Sequence, residues 1–106
     1  MIELNQRIRA YLTASFHFSD DQLEQMLPSF LDTLRGHLAR VEDAIAANAG
    51  QLASTAHTLK GALLNLGLEA EAAIALELEK HGNAGTSDTA ALTLLTKCLR
   101  EKLAGL

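Results

Sequence analysis

Apolar residues recur along most of this chain with alternating spacings of four and three, and that rhythm admits little other than packed helices. Leu27, Leu31, Leu34, Leu38, Val41 and Ile45 keep it for about five turns. Leu52, Ala56, Leu59, Leu63 and Leu66 form a second stripe, and Leu92, Leu95, Leu99 and Leu103 a third. A shorter one, Leu4, Ile8 and Leu12, opens the chain. At about 100° per residue each set lies along one helix face, and no segment alternates with the two-residue period of a strand. Alanine and leucine dominate, with one proline and no tryptophan, which favours helices over sheets.

Boundary signals divide the pattern. Residues 2–15 read as a short N-terminal helix. Ser19 and Gln22 have capping-box spacing, with Phe18 and Leu23 at the staple positions, so a helix starts there. Pro28 removes an N–H and crowds the preceding turn, so it is expected to bend or restart that helix. Asn48-Ala49-Gly50 is a break. The next helix ends near Gly67, a natural left-handed cap. An alanine-rich helix follows from about Glu69 to Lys80. His81 to Gly85 reads as a loop, and Thr86 or Ser87 as the cap of the last helix. Short loops between helices of similar length imply antiparallel neighbours. The expected fold is all-α: an antiparallel up-down four-helix bundle over about 19–104, with an additional short N-terminal helix. The 106 residues suffice for one domain and one core.

Charge and composition exclude several functions. Nine basic and 13 acidic residues give a net charge of −4 with no basic cluster, which disfavours nucleic acid and anionic membranes as partners. No apolar run approaches the ~20 residues of a membrane span, and the start does not read as a signal peptide. The lone Cys98 fits a reducing compartment and reads as a small core residue, so a cytoplasmic location is expected. His17, His37 and His81 have no metal-ligand spacing, so no metal site is expected. No Gly-rich nucleotide loop, nucleophile elbow or paired-carboxylate constellation is present.

His57 is where chemistry concentrates. It lies almost opposite the Leu52–Leu66 stripe, with Lys60, Gly61 and Leu64 on its own face. An imidazole of unperturbed pKa near ~6.5 is largely neutral at pH 7 and nucleophilic, and a lysine one turn on supplies an ammonium. Gly61 costs a helix about 1 kcal/mol relative to alanine, so an interior glycine here points to close approach by another molecule.

Ala56-His57-Thr58-Leu59-Lys60-Gly61 with Asn65-Leu66-Gly67 downstream resembles the motif of histidine-containing phosphotransfer (HPt) domains. Phe30-Leu31, Leu38 and Ala44–Ala47 resemble the preceding helix of that family, and Leu78-Glu79 its Leu-Glu pair on the following helix. The resemblance spans about Ser19 to Leu103. It implies a phosphorelay intermediate that exchanges a phosphoryl group between His57 and receiver-domain aspartates, without turnover of its own. On this resemblance His57 is the phosphoacceptor, Lys60 stabilises the phosphoryl group and Gly61 gives access. Leu64, Leu68 and Asn65 are expected to dock partners, with Phe16, Phe18 and Phe30 nearby. No intrinsic cofactor is implied, and Mg²⁺ belongs to the receiver. The implied partners are response-regulator receivers and a hybrid or other histidine kinase, met by a monomer. The sequence departs from the family at Ala49-Gly50, where a Gly-Asp type turn is usual, and at Leu64, where a small residue is usual. Two alternatives stand beside the carrier: a receiver-binding helical module without phosphotransfer, and the phosphoacceptor domain of a chemotaxis-type kinase. Glu79 reads equally as a surface acid or as a partner within the bundle.

Overall fold

The computed structural model describes residues 4–47, 50–85 and 89–103, and among them the chain forms five helices and no strand. These are α1 (Leu4–Phe16), α2 (Asp20–Ala46), α3 (Leu52–Asn65), α4 (Glu69–Asn83) and α5 (Thr89–Lys102). Helices α2 to α5 make the antiparallel four-helix bundle, in which α3 packs most extensively on α4 and α5 closes the ring against α4 and α2. The molecule measures 44 × 25 × 18 Å. Its long axis is set by α2, whose 27 residues rise about 40 Å.

The leucine stripes become the core. Leu23, Leu34, Val41, Ala56, Leu59, Leu63, Leu78 and Leu99 are almost wholly buried in one cluster. Burial of each leucine is worth about 1.5–3 kcal/mol. Cys98 is half-buried. The ends of α2 follow local chemistry. Ser19 Oγ accepts from the Gln22 N–H at 3.2 Å, and Gln22 Oε1 accepts from the Ser19 N–H at 2.9 Å. Asp20 and Asp21 sit in the positive first turn.

Three expectations are corrected. Helix α2 does not restart at Pro28 but runs from Asp20 to Ala46 with the proline inside it. The proline and Glu24, whose carbonyl loses its helical partner, both face solvent, while Leu23, Leu27 and Leu31 anchor the other face. Helix α4 continues past Lys80 to Asn83. Gly82 allows this by lying against α3, where an added Cβ would stand 2.5 Å from the Ala53 nitrogen. Leu68 faces the core, as its part in the α3–α4 turn explains below. The caps expected at Thr86 and Ser87, and Asn48-Ala49 of the break, lie outside the described residues.

Helix α1 lies on the bundle through Ile8 and Leu12, both buried. His17, in the left-handed region at φ 57°, ends it and turns the chain into α2. A bidentate pair ties α1 to α4: Arg7 Nη1 donates to Glu71 Oε2 at 2.9 Å and Nη2 to Oε1 at 3.0 Å. Glu71 is only 2% exposed. Burial raises its pKa, but hydrogen bonds from Arg7 and its own backbone, with the charges of Arg7 and Lys102, outweigh that and leave it below the ordinary value. A carboxyl depressed in the folded state contributes stability above its unfolded pKa of ~4.3, and that contribution is lost as pH falls through the folded value. Glu71→Gln is expected to cost about 2 kcal/mol at pH 7, less than a fully buried pair would because Arg7 is half-exposed. It should also flatten the acid limb of the stability profile. Urea melts at pH 7 and at pH 3 check both.

Candidate functional site

Helix α3 presents its apolar stripe to the bundle and therefore its other face to solvent. Ser54, Thr55 and Thr58 direct their hydroxyl hydrogens to carbonyls within the helix or at its start, at 2.9–3.1 Å. His57 stands among them with its side chain 66% exposed. Lys60 is one turn further on. At Gly61 an added Cβ would meet nothing within 4 Å, so no packing inside the molecule demands glycine there.

Glu79, from α4, joins this face. Its Oε2 lies 3.1 Å from His57 Nδ1, and its Oε1 accepts from Lys60 Nζ at 2.8 Å. One carboxylate thus holds the histidine and the lysine together across two helices. The hydrogen bond from Lys60 pulls the Glu79 pKa below its ordinary value; partial desolvation opposes this and the bond to His57 assists it. An ionised carboxylate accepts only, so Nδ1 of a neutral His57 carries the hydrogen and the lone pair is on Nε2.

The turn from α3 to α4 sets the register that brings Glu79 here. Gly67 has φ +76°, the Gly67 N–H bonds the Leu64 carbonyl at 3.1 Å, and the Leu68 N–H bonds the Leu63 carbonyl at 3.0 Å. These are the paired bonds of a Schellman cap, whose apolar residue after the glycine packs back on the helix. Leu68 is that residue. It is wholly buried in the same cluster as Leu63, and cannot reach a docking partner.

Leu64 is 44% exposed on the His57 side of α3, and Asn65 is exposed where the helix ends. On the α2 side His37 and Arg40 face Ser54, Thr55 and Thr58 across a small cavity. Arg40 Nη1 donates to His37 Nδ1 at 3.2 Å. Burial and the Arg40 charge hold the His37 pKa down. Among the described residues no group of three or more His, Cys, Asp or Glu side chains is arranged to hold a metal ion. None of the described helices is long and apolar enough to cross a membrane.

The family model of the Hpt domain matches residues 25–105. The chain belongs to the Hpt domain family. No curated protein and no solved structure matches it. Hpt domains are histidine phosphotransfer modules of phosphorelays, carriers rather than enzymes, which meet response-regulator receivers and histidine kinases. In this Hpt domain the structure brings His57, Lys60 and Gly61 onto one face with Leu64 and Asn65, and removes Leu68 from it. Glu79 is the residue whose place the sequence left undecided. The available signal was its position beside Leu78, whose apolar side chain turns that edge of α4 toward α3.

Proposed function

We propose that this Hpt domain carries a phosphoryl group on Nε2 of His57, accepting it from one receiver aspartate and delivering it to another. The observation that supports this is an exposed imidazole whose Nδ1 is held by the Glu79 carboxylate. In the forward step the Nε2 lone pair forms the N–P bond while the P–O bond to the receiver aspartate breaks. The aspartate leaves as a carboxylate with the bonding pair. The ring gains positive charge, which the Nδ1–H···Oε2 bond to Glu79 stabilises as a charge-assisted bond. Loss of the Nδ1 proton to solvent leaves a phosphohistidine whose ring is neutral and whose phosphoryl group stays anionic; return of that proton and the reverse sequence deliver the group.

Phosphoryl transfer needs positioning and charge stabilisation more than covalent help. Lys60 supplies the charge, exchanging its bond to Glu79 for one to a phosphoryl oxygen. Gly61 leaves space beside the ring for the receiver's active site, which brings the aspartate and the Mg²⁺. Leu64 and Asn65 dock the receiver around the ring. A hybrid or other histidine kinase stands upstream, and the domain works as a cytoplasmic monomer without turnover.

Incubation with a phosphorylated receiver and Mg²⁺, followed by intact-mass measurement, tests this. One acid-labile phosphoryl group gained supports the carrier; tight binding without transfer across several receivers would replace it with a sequestering module. Glu79→Gln keeps an acceptor for Nδ1 but removes the charge that steadies the imidazolium and Lys60. The transfer rate is expected to fall about ten- to a hundredfold, as losses of ring-orienting partners do elsewhere, with the fold retained by circular dichroism.

A further inference from the structure

Helix α1 touches α4 at the place where α4 begins, and α4 carries Glu79. Leu68, at the N-cap of α4, offers no side-chain acceptor to the free N–H groups of the first turn. Local sequence therefore leaves the start of α4 weakly defined. Two residues of α1 stand against it. The Tyr11 ring lies over Gly67 so closely that a Cβ there would overlap it. One turn earlier in α1, Arg7 holds both carboxylate oxygens of Glu71, one turn further along α4. A bidentate pair of this kind fixes orientation as well as distance. All of α1 precedes residue 25, so this hold lies outside the segment that matches the Hpt family.

The hold governs where Glu79 stands. Glu79 follows Glu71 by eight residues, a rise of about 12 Å along one continuous helix. Such a helix moves as a rod. Its far end is fixed where Gly82 crosses Ala53, so the freedom left to it is at its start. The contact between His57 Nδ1 and Glu79 Oε2 is 3.1 Å, and a shift of about 0.5 Å takes it out of hydrogen-bond range. Resting on the carrier reading, we propose that Arg7 and Tyr11 are positioning residues of the phosphoryl site, fixing the start of α4 so that Glu79 meets His57 and Lys60 together. They act through Glu79.

Removing each hold in turn tests this. Tyr11→Ala takes away the ring over Gly67. Arg7→Met combined with Glu71→Gln takes away the ion pair without leaving a buried charge unpaired. Tyr11→Phe keeps the ring and serves as the rescue. Each is made in wild type and again beside Glu79→Ala. Phosphoramidate, a small donor that needs no receiver, phosphorylates the protein, and intact mass follows the rate. Nitrogen-15 NMR of the His57 ring reports which nitrogen carries the hydrogen. The rate should fall about tenfold on removing either hold, as for loss of a ring-orienting partner, and stay normal in Tyr11→Phe. The ring hydrogen, held on Nδ1 in wild type, should spread to Nε2. Beside Glu79→Ala the same changes should alter the rate by less than about twofold, since the residue they act through is already gone. Thermal melts check folding, and Tyr11→Leu, which keeps apolar bulk without the flat ring, replaces Tyr11→Ala if that variant does not fold. A wild-type rate and tautomer in the folded variants overturns the positioning role and leaves the carrier intact. An equal loss with and without Glu79 overturns it too, because α1 would then act by another route. If wild type gains no phosphoryl group from phosphoramidate or from a phosphorylated receiver, the carrier fails, and the ring tautomer by itself decides whether α1 holds Glu79 in place.

Discussion

His57→Gln is expected to take up no phosphoryl group, a loss of at least about a thousandfold in transfer rate, the scale on which removing a reacting nucleophile acts. Glutamine is uncharged and offers no basic nitrogen to phosphorus. The side chain is 66% exposed and outside the core, so stability should stay within about 0.5 kcal/mol of wild type. Intact mass after exposure to a phosphorylated receiver, beside a thermal melt, separates lost chemistry from lost fold. Should the variant still gain an acid-labile phosphoryl group, the acceptor is another histidine. His37 would be examined first, because it lies across the cavity from Thr58.

Gly67→Ala is expected to cost about 3 kcal/mol, the largest stability loss anticipated for adding a single carbon to this chain. Two independent effects combine. A left-handed conformation costs a non-glycine residue roughly 1–2 kcal/mol, and Gly67 sits there at φ +76°. In addition, the new Cβ would stand 2.3 Å from a ring carbon of Tyr11, forcing α1 outward, and such overpacking costs about 1–3 kcal/mol. The melting temperature should drop by about 12–20 °C. Loss of the turn also loosens the register that holds Glu79 against His57, so the transfer rate of the folded fraction should fall as well. Denaturant melts and single-turnover transfer measure the two consequences separately.

The periodic signals were legible because each depends on a few neighbouring residues. The Ser19–Gln22 box forms as its spacing requires, and the leucine stripes are the core. His57 faces solvent because its helical phase opposes Leu59 and Leu63. Phase failed at Leu68 for an equally local reason: it holds only while the helix does, and Gly67 breaks it. Pro28 does not restart the helix because the cost of a proline depends on which face loses the hydrogen bond, and the burial of Leu27 and Leu31 settled that face.

The sequence by itself determined the helices, the buried stripes and the exposure of His57 with Lys60 and Gly61 beside it. It does so because a helix fixes the direction of every side chain from backbone geometry alone. Tertiary structure alone decided that Glu79 binds both His57 and Lys60, that α4 reaches Asn83 by passing close over Ala53, and that three phenylalanines from α1, α2 and the turn between them meet α3 around one groove. Each of these depends on the relative register of separate helices. That register is set by whole-core packing, the Gly67 turn and the Gly82 crossing, and no spacing within a single helix encodes it.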